Sequence, residues 1–174
     1  VPAAVDQDDA MSKPGAIVQF TTAIYFVEDW ETVLTVDIMR LGSLNGEVSV
    51  DWFTEDGSAK AGRQYYPANG RAVFLDGEYR KQIKVNTIYN HFWSPTLEFK
   101  IKLANERGCS LGLFLKSCRV KVIDGDTFPS SVNRELLLEG EDGVRRIRVT
   151  SLLWQFWKLC FTHVPGVRIR TLAT

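Results

Sequence analysis

Between residues 17 and 123 the chain alternates apolar and polar positions with period two, and each run ends in turn residues. Leu34, Val36 and Ile38 share one face opposite Thr35 and Asp37, and Val48, Val50 and Trp52 are interleaved with Ser49 and Asp51. The cleanest alternation sets Leu97, Phe99, Ile101 and Leu103 against Glu98, Lys100 and Lys102. Such a period places successive side chains on opposite faces of a half-buried strand. The pattern predicts seven strands, over residues 17–27, 32–41, 47–54, 71–75, 79–88, 95–103 and 114–123. Short strands at near-regular spacing, with turn signals between them, predict an all-β sandwich. Ile83 and Val85 are expected inward, and Cys118 with them as a small hydrophobe. Strands 47–54 and 79–88 are expected at sheet edges, where their charged residues discourage stray pairing.

The pattern changes after Thr127. Residues 128–149, with Pro129 and two serines near the start, read as a linker, with a helical turn or two over 133–141 around Leu136, Leu137 and Leu138. Residues 150–161 then crowd Leu152, Leu153, Trp154, Phe156, Trp157, Leu159, Cys160 and Phe161 into a helix apolar around most of its circumference. Ser151 is a candidate N-cap, and Pro165-Gly166 stops the run. A helix of this kind needs a cover.

The hinge of the β pattern is the run Phe53-Thr54-Glu55-Asp56-Gly57-Ser58-Ala59-Lys60-Ala61-Gly62-Arg63-Gln64-Tyr65-Tyr66. Asp56-Gly57 is a turn in which positive φ is expected of Gly57. The small residues that follow let the loop lie against the sheet, and Tyr65 or Tyr66 anchors its return. This run resembles the T-E-D-G-T-A-x-A-G-x-D-Y signature of Calx-β domains, modules of sodium/calcium exchangers. Further motifs fall in the family's order: Tyr25-Phe26-Val27-Glu28, Arg40-Leu41-Gly42, Gly70-Arg71-Ala72-Val73-Phe74, Asp76-Gly77-Glu78, Leu97-Glu98-Phe99-Lys100-Ile101-Lys102-Leu103 and Ile123-Asp124-Gly125-Asp126. The resemblance implies a seven-stranded immunoglobulin-like sandwich over residues 17–127, often calcium-binding, here followed by a C-terminal amphipathic or apolar helix. The run Phe156-Trp157-Lys158, with Phe161 and Val164-Pro165, is similar to the segment that leads an exchanger's regulatory loop back into the membrane. On that reading the chain is a fragment and the transport site lies outside it.

Calcium is a hard cation that takes about six to eight oxygens, dominated by carboxylates. The family's ligand positions are kept at Glu28, Asp124 and Asp126. Gln64 replaces the signature aspartate, and the stretch from Tyr89 to Leu97 holds no carboxylate where the family has an acidic cluster. The expectation is a degenerate calcium site, with no other cofactor; the alternative is a working calcium sensor. Tyr89, Phe92 and Trp93 stand in the acidic cluster's place, either as a partner contact or folded back over the open sandwich end.

Composition narrows the function classes. The formal charge is zero, from 21 basic and 21 acidic residues, so no global field draws in nucleic acid or an acidic substrate. Its distribution is uneven. Asp6, Asp8 and Asp9 make residues 1–16 an acidic, flexible arm, whereas from Gly143 on there are Arg145, Arg146, Arg148, Lys158, Arg168 and Arg170 and no acid. Residues 150–174 thus form a basic, aromatic docking helix and tail. It is open to an anionic membrane surface through its basic residues, to a partner subunit through Leu153, Trp154, Phe156, Trp157 and Phe161, or to the sandwich's own outer face. Three cysteines without framework spacing exclude a disulfide-built secreted module, and two histidines leave no zinc spacing. No nucleophile–base–orienter set or phosphate loop is present, so no enzyme and no small-molecule substrate is expected. The first residues lack a signal-peptide core, the chain begins with Val as a mature or truncated form does, and no apolar run reaches the about 20 residues that span a bilayer. The expected role is a non-catalytic accessory or scaffold module, peripheral to a membrane-associated complex. The alternative is the calcium-sensing regulatory domain of an exchanger-like transporter.

Overall fold

The computed structural model describes residues 15–89 and 93–163. Phe92, Arg168, Arg170 and nearly all of the expected N-terminal arm lie outside them. Strands β1 (Ile17–Phe20), β2 (Ile24–Glu28), β3 (Val33–Leu41), β4 (Val48–Glu55), β5 (Asn69–Phe74), β6 (Arg80–Asn86), β7 (Leu97–Arg107), β8 (Ser110–Leu111) and β9 (Ser117–Ile123) form two sheets. One has the order β6-β3-β1-β8 and the other β2-β9-β7-β4-β5. Val18, Phe20, Val36, Ile38, Val50, Phe74, Val85, Phe99, Ile101 and Val120 are fully buried between them. Ile83, Val85 and Cys118 point inward as the alternation predicts, and burial pushes the Cys118 thiol up to about 12. Ala16 also belongs to the core, one residue before the expected start of the sandwich.

Three expectations are corrected. The predicted first strand is two strands in different sheets. Val18 and Phe20 are buried at even positions and Val27 at an odd one, so the inward parity flips within the run. The flip falls at residues 21–23, where Thr21 donates its N–H to the Asp37 carbonyl. There the Tyr25 hydroxyl lies 2.7 Å from Thr21 Oγ1 and donates to the same carbonyl at 3.1 Å. Second, β4 is interior, between β7 and β5, and β5 takes the edge. The outward Asp51 of β4 does not repel neighbours because they neutralise it. Arg71 of β5 pairs with it at 2.7 Å, and Asn105 of β7 donates to it at 3.1 Å. Third, the last predicted strand begins at Ser117, and exposed Leu113 and Phe114 precede it.

The signature loop closes the sandwich corner. Tyr65, not the exposed Tyr66, is the anchor: its ring stacks on Phe99 at 4.0 Å between centroids. Its hydroxyl donates to Asp56 Oδ1 at 2.6 Å, and the Ala61 N–H donates to the same oxygen at 2.9 Å. Those bonds hold the Asp56 carboxyl below its ordinary range, the Tyr65 bond most. The loop then reaches the other sheet, where the Tyr66 N–H donates to the Asn86 carbonyl at 2.9 Å. Gly57 does not have the expected positive φ; Gly62 does, at 79°. Gly57 is required for space, since a Cβ there would strike the Glu98 carbonyl of β7.

After the sandwich come a 3-10 turn at Ser131–Asn133 and helices α1 (Arg134–Leu138), α2 (Glu141–Arg146) and α3 (Val149–His163). The expected linker is therefore largely helical, and Ser130 and Ile147 within it are buried.

Gly57→Ala is expected to destabilise the fold by about 1–3 kcal/mol, the usual cost of forcing a side chain into packed space. Gly15→Ala, with nothing near its Cβ, serves as the neutral control. Urea denaturation followed by tryptophan fluorescence checks both.

Candidate functional site

The parallel pairing of β2 with β9 sends both strands out of the sheet at the same end, with Glu28 opposite Ile123. The next residues, Asp29 and Asp124, are thereby neighbours. The Asp29 N–H donates to the Ile123 carbonyl at 2.9 Å. Asp29, Asp124 and Asp126 bring their carboxylates together, with one oxygen from each within 4.8 Å of the others.

Backbone and hydroxyl donors fix each carboxylate. The Gly125 N–H donates to Asp29 Oδ1 at 3.2 Å. Asp124 Oδ1 accepts from the Asp126 N–H at 2.6 Å, and its Oδ2 from the Ser94 N–H. Ser131 donates to Asp126 Oδ1 at 2.6 Å. Asp29 Oδ2 and Asp126 Oδ2 are buried without a protein partner. Asp29 is only 8% exposed. Burial raises its pKa, the Gly125 N–H opposes, and the charges of Asp124 and Asp126 raise it further.

The residues present therefore fit a hard cation better than the sequence implies. Two orphaned carboxylate oxygens at a buried, like-charged corner are the arrangement a divalent ion relieves. Asp29, Asp124 and Asp126 would hold it, and bound calcium would supply positive charge to a corner that otherwise holds three acids.

Of the three sequence-predicted ligands, Asp124 and Asp126 are in the cluster and Glu28 is not. The exposed Glu28 carboxylate accepts from the Trp30 indole N–H. Asp29 takes its place, and the signal was available: Val27 faces inward, so two residues on Asp29 does too. Gln64 is turned to its own loop and accepts from the Lys60 N–H at 2.9 Å.

Tyr89 lies at the same corner. Its partial burial, followed by the charges of Asp126 and Asp29 and by a hydrogen bond to the Asp126 carboxylate, raises its pKa. Trp93 folds back, half-buried, edge-on to Phe128 at 5.2 Å. Phe128 in turn meets Phe156 of α3 at 6.0 Å. Ser130 donates to Gln155 Oε1 of the same helix at 2.8 Å, and Leu159 is buried. Helix α3 is thus seated through residues 128–130 at the end of the sandwich. Leu153, Trp154, Phe156, Trp157 and Phe161 remain exposed. Arg145, Arg146, Arg148 and Lys158 are also exposed, with Arg146 paired to Glu139.

Asp29→Asn keeps the oxygen that accepts from Gly125 and removes a buried charge. Because the folded-state pKa of Asp29 is raised, its ionisation costs stability as pH rises from the ordinary aspartate range through the raised value. The variant is therefore expected to melt a few degrees higher than the parent at neutral pH in chelator. The advantage should vanish as pH falls below that window. Scanning calorimetry across pH measures it.

Comparison with known proteins agrees with this fold. The chain is 33% identical over 111 residues to sodium/calcium exchanger 2 of Rattus norvegicus, covering 63% of this chain and 12% of that protein. It is 35% identical over 104 residues to sodium/calcium exchanger 1 of the same species, covering 59% and 11%. The chain thus spans only a small part of these relatives. Among solved structures, the apo form of the Calx CBD1 domain superposes with a TM-score of 0.62 at 24% identity, over 64% of this chain and 99% of that one. The Calx CBD2 domain gives 0.62 at 17% identity, over 70% and 93%. These two show a shared fold. The family model described as the Calx-beta domain matches residues 12–127, and the chain belongs to that family.

Proposed function

We propose that this chain is a non-catalytic regulatory module of a sodium/calcium exchanger-like membrane protein, with its calcium site reduced to the corner made by Asp29, Asp124 and Asp126. The observation that carries the reading is the pair of buried carboxylate oxygens, Asp29 Oδ2 and Asp126 Oδ2, left without partners beside Asp124. A cation there would offset both the burial of the Asp29 charge and its repulsion by Asp124 and Asp126, and would tie the end of β2 to the end of β9. The exchanger relatives supply the context of a membrane protein. No helix among the described residues is long and apolar enough to cross a membrane, so the module would work beside the membrane-embedded part. The likeness of Phe156-Trp157-Lys158 and Phe161 to the exchanger segment that re-enters the membrane supports the same placement.

A second reading is an accessory or scaffold subunit of a membrane-associated complex in which the calcium site no longer works. It is favoured by Gln64, which brings no charge and bonds its own loop, and by the absence of carboxylates from Tyr89 to Leu97. Tyr89, Phe92 and Trp93 would then offer partner contacts in place of ligands.

Calorimetric titration with calcium separates the two. The first reading expects one ion per chain, held more weakly than in a full sensor site, with Kd of about 10⁻⁵–10⁻³ M. Asp126→Asn should abolish the heat and Glu28→Gln should leave it intact. No heat at millimolar calcium would leave the scaffold reading standing.

A further inference from the structure

Helix α3 is apolar on its outward side as well as its inward one. A helix on a globular domain turns its apolar stripe inward and its polar face to water. In α3 the covered side holds Ser151, Leu152, Gln155, Leu159 and Cys160: the Gln155 amide donates to Ser151 Oγ at 3.0 Å, its Oε1 accepts from Ser130, and Leu159 is buried. The outward side holds Leu153 at 62% exposure, Trp154 at 63% and Trp157 at 52%, with Phe161 also exposed. These rings form a continuous surface. Trp154 stacks on Trp157 at 5.2 Å, and Trp157 lies 4.4 Å from Phe161.

We propose that this outward face is a seat for an anionic phospholipid surface, in which α3 lies flat at the headgroup level. Tryptophan suits that depth because its ring is apolar and its indole N–H is polar. The 15 described residues of the helix extend about 22 Å, short of the about 30 Å needed to span the hydrocarbon. Charge decides between lipid and a second copy of the chain. Arg145, Arg148 and Lys158 are exposed before and along the helix, Arg146 being paired to Glu139, and the exposed acids Glu139, Glu141 and Asp142 all precede them. A two-fold interface between copies would bring the basic stretch from Arg145 to Lys158 against itself. An anionic leaflet complements it. The aromatic face includes none of the three clustered carboxylates, so the proposal does not rest on the regulatory reading.

The test is flotation of the full chain with phosphatidylcholine vesicles, with and without about one-third phosphatidylserine. The full chain is expected to float with the anionic vesicles and to stay behind with the neutral ones. Trp154→Ser with Trp157→Ser should weaken partitioning at least about tenfold, given the apolar area withdrawn. Arg145→Gln with Arg148→Gln should weaken it by about fivefold per arginine removed. Since all four side chains are exposed, both double variants should keep the parent's circular dichroism and melting midpoint. Asp29→Asn, which withdraws a carboxylate from the cation corner and bonds none of the residues that seat α3, should float as the parent does, in calcium and in chelator alike. Failure to float on anionic vesicles overturns the proposal, as does flotation that the tryptophan variant leaves unchanged. A concentration-dependent dimer abolished by that variant would also overturn it, assigning the face to a second copy.

Discussion

The site depends on one pairing, the parallel ladder between β2 and β9. Parallel neighbours in a small β domain are the exception, since hairpins make antiparallel ones. Here the parallel pair is available because the chain changes sheet between Phe20 and Ile24, so β2 enters beside a strand nearly one hundred residues later. Both strands then leave the sheet in the same direction, and the residues that follow them share one corner. An antiparallel partner would have put Asp29 beside the start of β9, at the opposite end from Asp124. The three carboxylates meet because of that strand direction.

The corner so made is electrostatically expensive and structurally well held. Gly125, Asp126, Ser94 and Ser131 supply donors to four of the six carboxylate oxygens. This fixes the orientation of all three groups while leaving Asp29 Oδ2 and Asp126 Oδ2 bare. The cluster is therefore held in place by the fold, and burial first, then the charges of Asp124 and Asp126, raise the pKa of Asp29. The same few residues seat α3. Asp126 holds Ser131, Ser130 holds Gln155, and Trp93 meets Phe128, which meets Phe156. The acid corner and the helix that presents the aromatic face thus share residues 126–131 as a common support.

Much of the sandwich was legible because its core strands alternate strictly. Phe99, Ile101 and Leu103 could face only one way, and Ile83, Val85 and Cys118 followed from the same period. The signature loop was legible because small residues and a tyrosine are what a close crossing needs, although Gly57 proved necessary for the Glu98 carbonyl's space rather than for its own backbone angle. The break at residues 21–23 was written in the parity of Val18, Phe20 and Val27, but a run of apolar residues at both parities reads as one strand until a neighbour selects the face. The edge assignment of β4 failed for a related reason. Asp51 signals an exposed edge only while Arg71 and Asn105 are unplaced.

By itself, then, the sequence determined the fold class, the inward faces, the closing loop, the acids after the final strand and the greasy, basic helix, since each rests on local period, residue size or charge. Tertiary structure decided which acid completes the cluster and which way the helix faces. Glu28 and Asp29 are adjacent and chemically alike; only the pairing of β2 with β9 and the inward turn after Val27 separate a carboxylate that bonds Trp30 from one buried at the corner. Helix α3 is apolar on most sides, so no period within it could choose its contact face. Ser130, Phe128 and the buried position of Leu159 made that choice, because orientation of an element is set by the partners that its own residues cannot name.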